Sequence, residues 1–91
     1  MIIILGALEK LSRAELSAVY FHTENLMYRG FKIKSVTVTR NEKFYVCTIR
    51  SYNDKRELDR VRNYSFYTEQ ELNYFLEMLT EYYIFTVERK G

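Results

Sequence analysis

Two helix starts are written into this chain in full. Ser12 is followed three residues later by Glu15, flanked by Leu11 and Leu16, and Thr68 is followed by Glu71, flanked by Tyr67 and Leu72. In each case the hydroxyl accepts one unpaired N–H of the first turn, the carboxylate returns to another, and the apolar pair fixes the entry angle of the chain. The fold must therefore be built around two helices. The first is predicted over 13–29, stopped by Gly30 in the left-handed capping position, and the second over 69–83. At about 100° per residue, Leu16, Val19, Tyr20, Leu26 and Met27 form the apolar stripe of the first. Leu72, Phe75, Leu76, Leu79, Tyr82 and Tyr83 form that of the second, with Glu69, Glu77 and Glu81 on its other side.

The segments between the helices are rich in β-branched and aromatic residues. Residues 31–40 and 43–52 read as a hairpin turned at Asn41-Glu42, and 58–67 as a third strand after the polar break 53–57. Shorter strands are predicted at 2–5 and 84–88. The expected class is α+β: an antiparallel sheet with two amphipathic helices on one face, in the order β-α-β-β-β-α-β, close to a split βαβ plait. The alternative is a plain α-β-β-β-α meander, with residues 1–8 joining the first helix. At 91 residues the whole chain, 1–91, is one domain, because two cores would each be too small. With 47% hydrophobic residues and no proline, it has the apolar surface to fold and no rigid linker.

Part of this pattern resembles the RNA-recognition motif. Ile3-Ile4-Leu5-Gly6-Ala7-Leu8 and Gly30-Phe31-Lys32-Ile33-Lys34-Ser35-Val36 are similar to that family's first and post-helix strands. Lys43-Phe44-Tyr45-Val46 falls where its aromatic third-strand motif lies. The resemblance implies single-stranded nucleic acid on the sheet. Three departures count against membership: the first strand has no stacking aromatic, the third-strand glycines are missing, and extra strand precedes the second helix.

The chemistry expected of the chain is mostly non-catalytic. His22 is the sole histidine and Cys47 the sole cysteine, so no intramolecular disulfide or multi-cysteine zinc site can form. Asp54, Glu57 and Asp59 alternate with Lys55, Arg56 and Arg60, which neutralise them and disfavour a metal. No phosphate-cradling glycine loop or metalloprotease motif is present. The expectation is a protein that is not an enzyme and has no cofactor or metal. Its opening residues lack a basic region and cleavage site, so neither a leader nor a membrane association is expected, and one lone cysteine suits a cytoplasmic setting.

Two contact surfaces are predicted. Residues 31–67 carry nine Lys/Arg against four Asp/Glu, while 68–91 carry two against five, so the sheet is basic and the second helix acidic. Alternation places Arg60, Arg62, Tyr64 and Phe66 on one face of the third strand, and Phe44, Arg50 and Tyr52 on the face of the second strand opposite Tyr45, Cys47 and Ile49. If these seven turn away from the helices, aromatics interleaved with arginine are offered to a partner. The other surface lies on the first helix, where Ala14, Ala18, Phe21 and Tyr28 follow a 4-3-7 spacing away from the main stripe. Small residues beside two rings suit a partner or homodimer interface. Together these features predict a small interaction protein, a regulator or mobile-element (phage-type) inhibitor of a host protein machine. Single-stranded nucleic-acid binding is the alternative.

Overall fold

The structure, a computed structural model, describes residues 11–27, 31–53 and 59–90. Its elements are α1 (Arg13–Met27), β1 (Lys32–Arg40), β2 (Tyr45–Tyr52), β3 (Asp59–Phe66), α2 (Glu69–Thr80) and β4 (Val87–Lys90). The predicted strand at 2–5, the Gly30 cap and most of the 53–57 break lie outside the described residues. Both helices begin where the capping boxes place them. The Glu15 N–H donates to Ser12 Oγ at 3.2 Å and the Ser12 N–H returns to Glu15 Oε1 at 3.4 Å. The Glu71 N–H donates to Thr68 Oγ1 at 3.1 Å.

The four strands lie in the order β3-β2-β1-β4. β1–β2 and β2–β3 are antiparallel, whereas β4 runs parallel to β1, pairing Val36 with Val87 and Val38 with Arg89. The sheet is thus mixed, and the class is α+β as expected. Its antiparallel part is a meander of three sequence neighbours. β4 joins the far edge only after α2 has carried the chain back across the sheet. The β1–β2 turn spans four residues instead of two because Asn41 organises it. Its Oδ1 accepts from the Lys43 and Phe44 N–H groups, each at 2.9 Å, and its own N–H donates to the Phe44 carbonyl at 3.0 Å.

Both helices cover one face, over the β2–β3 half of the sheet. α2 buries the stripe that its sequence announces: Leu72, Phe75, Leu76 and Leu79. They meet Val36, Val38, Cys47 and Ile49 from the sheet in one core. α2 stops three residues earlier than its periodicity suggests, with the Tyr82 and Tyr83 N–H groups closing a turn on the Leu79 carbonyl.

α1 reverses the expected assignment of its faces. Ala14 is 0% exposed and Phe21 4%, and Ala18 packs against the same core. A dimer or partner interface therefore cannot use Ala14 or Phe21, Ala18 is only partly buried at the edge of the core, and Tyr28 lies outside the described residues. The fourth member of the buried row is Asn25, which completes a 4-3-4 spacing from Ala14. Its Nδ2 donates to the Phe31 carbonyl at 2.9 Å, so a polar residue is satisfied inside. The two alanines let the helix approach closely, and Phe21 then meets Tyr83 and Tyr64 edge to face at 5.3 and 6.4 Å. The larger stripe, Val19, Tyr20, Leu26 and Met27, is turned outward.

β3 also turns the opposite way. Register pairs Phe66 with Tyr45, Tyr64 with Cys47, Arg62 with Ile49 and Arg60 with Ser51. Directly paired residues share a face, so these four side chains point toward the helices. Phe66 is buried, stacked on Phe75 at 5.0 Å, and Tyr64 lies 5.1 Å from the same ring. The premise that Arg60, Arg62, Tyr64 and Phe66 face outward is overturned.

Candidate functional site

With β3 inverted, the seven sheet residues divide between two sides. Phe44, Arg50 and Tyr52 alternate away from the buried row of β2 as expected. Phe44 meets Tyr67 edge to face at 6.4 Å, and Arg50 lies 3.7 Å from Asp59. Tyr52 is half-buried at the end of β2 and borders a cavity of about 550 Å³ with Phe31, Ile33 and Tyr82. Beside Val46 and Val61, the rest of that open face is largely short and polar. Thr37, Thr39, Thr48, Asn63 and Ser65 share it by register, with Thr48 donating to Asn63 Oδ1 at 2.7 Å. Hydroxyls of this kind offer no ring on which a base could stack.

On the helix side, Glu24 of α1 bridges both arginines of β3. Its Oε2 accepts from Arg62 Nε at 2.9 Å and pairs with the Arg60 guanidinium. The Arg60 side chain is 9% exposed against 33% for Glu24, and its guanidinium lies over the Phe31 ring, 4.8 Å from the centroid. Burial first, and then the neighbouring Arg62, pull the Arg60 guanidinium below its usual value. These arginines clasp α1 to the sheet instead of reaching toward a phosphate. The acidic partner that draws them inward lies 38 residues before Arg62 in the sequence, a long-range pairing that local alternation does not reveal. Two carbonyls of the outer strand are occupied as well: Val61 accepts from Arg62 at 3.1 Å and Ser65 from Arg13 at 3.4 Å. Such side-chain contacts blunt an edge against strand addition.

The titratable interior is inert. Cys47 is buried, and burial pushes its thiol up to about 12. Tyr64 is pushed up to about 12, by burial first, with both arginines opposing. Both groups stay neutral in the folded protein until about pH 12, while their ordinary values are 9.0 and 10.0. The stability this difference supplies is complete below about pH 9 and is lost as pH rises from there through about 12. Urea midpoints should therefore be flat through neutrality and fall at about pH 11, and Cys47 should react with a thiol reagent only after unfolding. A midpoint that rises above pH 9 would contradict the burial of these two groups.

His22 donates to or accepts from the Tyr83 hydroxyl at 2.9 Å and stacks on Tyr82 with centroids 4.3 Å apart. Burial raises the Tyr83 phenol, opposed by its hydrogen bond with Asn25. No carboxylate adjoins the imidazole in these contacts, so they form a packed aromatic cluster. Among the described residues no three His, Cys, Asp or Glu side chains gather to hold a metal, and no helix is long and apolar enough to cross a membrane.

Ile84, between α2 and β4, is 98% exposed, and a group of large exposed apolar side chains lies on the helical layer. Leu26 is 68% exposed, Met27 67%, Tyr82 61% and Tyr20 55%. A second concavity, about 240 Å³, runs between the helices along Ala18, Val19, Met78 and Tyr82. It shares His22 and Tyr82 with the larger cavity, so that stacked pair borders both. Sequence reasoning named most of these apolar residues but placed them inside. No protein-family model, curated protein or solved structure matches the chain.

Proposed function

We propose that this protein is a non-enzymatic interaction protein, a small regulator that acts by occupying a protein partner through its helical layer. The observation that carries the reading is the outward apolar side of α1, where Tyr20, Leu26 and Met27 stand exposed and Leu26 borders the same cavity as exposed Tyr82. A helix with one solvated face ordinarily keeps that face polar, and contiguous apolar surface of this kind marks contact sites. Tyrosine is also among the residues that anchor protein interfaces. Single-stranded nucleic acid is the weaker reading, because Tyr64 and Phe66, two of the four rings meant to stack on bases, turn toward the helices and the arginines of their strand hold Glu24.

The test is affinity capture from the native cell, with nuclease treatment in parallel, using the wild-type chain and the double variant Leu26→Ser/Met27→Ser. Both residues are largely exposed, so thermal stability should change by no more than about 0.5 kcal/mol. The captured protein should be lost with the variant and survive nuclease. Equal capture by both chains, or loss on nuclease treatment alone, would sink the reading.

A further inference from the structure

We infer that the partner segment is a basic amphipathic helix, seated in the groove between α1 and α2; this rests on the reading of the helical layer as a protein-binding surface. The groove supplies an apolar floor from Ala18, Val19, Met78 and Tyr82, with Glu15 at one side and Glu81 at the other. Glu77 stands one turn before Glu81 on α2, exposed on the adjoining face with Gln70, Asn73 and Tyr74, and adds to the negative field at the groove's rim. An apolar helix stripe laid on the floor would bring its flanking cationic side chains to Glu15 and Glu81.

The charge placement on α2 supports a cationic occupant independently. A helix C-terminus carries the negative end of the backbone dipole and is stabilised by Lys, Arg or protonated His in its last turn. α2 has no basic residue there, and instead places Glu77 in its final turn and Glu81 at the C-cap. Neither carboxylate has an ion-pair partner among the described residues, whereas Glu24 and Glu69 have arginines. The whole helix carries no Lys or Arg. Acids concentrated where the isolated fold is best served by bases are a local rule broken, and such breaks concentrate at functional positions. A cation from outside, seated at Glu81, would satisfy the dipole end and that carboxylate together, within the field of Glu77.

The probe is a fluorescent leucine–lysine amphipathic helical peptide of about four turns, with a leucine–glutamate peptide of the same pattern as control. The full chain should bind the lysine peptide and not the glutamate one. Amide shift perturbations should concentrate at Ala18, Val19, Met78 and Tyr82 and leave Thr37 and Thr48 on the open sheet face unmoved. Glu77→Lys/Glu81→Lys should weaken the lysine peptide at least about tenfold while raising the melting temperature of the free protein. Val19→Asp should weaken it similarly, with retained helicity by circular dichroism checking the fold. Equal affinity for both peptides, perturbations spread over the sheet, or affinity unchanged by the double lysine variant would each overturn the inference. So would failure of both peptides to bind. Any of these results with capture still lost in Leu26→Ser/Met27→Ser would remove the basic partner and leave the protein-binding reading standing.

Discussion

Replacing Phe75 with Ala should cost about 3–5 kcal/mol and leave the chain unfolded or nearly so at physiological temperature. Phe75 is fully buried, and its ring holds both Tyr64 and Phe66, so one truncation opens the junction of α2 with β3. Domains of this size have stabilities at the lower end of about 5–15 kcal/mol, and there is little surplus to absorb the loss. Urea unfolding followed by far-ultraviolet circular dichroism gives the number. Phe44→Ala is the comparison: that ring is half-buried beside exposed Tyr67, and its loss should cost much less. Similar costs for the two variants would mean that the core is not where the sheet register places it.

The second large effect belongs to the clasp. Glu24→Gln keeps the shape of the side chain and removes its charge, leaving the nearly buried Arg60 guanidinium without its carboxylate. Breaking a fully buried pair costs about 3–5 kcal/mol. Because Glu24 is a third exposed, solvent screening brings the expected loss to about 1–3 kcal/mol. Arg62→Gln should cost about 1 kcal/mol or less, since that arginine is far more open. A double-mutant cycle should give a larger coupling for Glu24 with Arg60 than for Glu24 with Arg62. Equal couplings would mean that Arg60 is solvated, and the pairing would then be a surface feature.

The parts of the fold legible in sequence are those with local causes. Ser12 and Thr68 fix helix starts through groups three residues away, and Asn41 shapes its turn through its own side chain. The inward face of β2 is legible too, because Cys47 and Ile49 are the most uniformly apolar row available. Faces decided at long range were not. The pairing of β3 with β2 sets which residue meets Cys47, and a one-residue change in register exchanges the two faces of a strand. Arginine at positions 60 and 62 reads as solvated until Glu24 is brought across from α1. On α1, apolar residues occur on more than one side, and the face with the larger side chains looked like the core. The winning face contains two alanines and a buried asparagine whose partner, the Phe31 carbonyl, belongs to the next element. The same inversion hid the candidate site: its residues were visible, but their exposure was not.

The route of α2 across the sheet also sets an order of assembly. Neighbouring segments build β1–β2–β3 through short excursions, but Val36 meets Val87 only after all of that chain and a helix have been placed. Closing so long a loop is entropically slow and is rewarded by a ladder of few residues. The parallel edge is therefore expected to lock last during folding and to open first under strain, so this α+β protein folds on the timetable of its least local pairing.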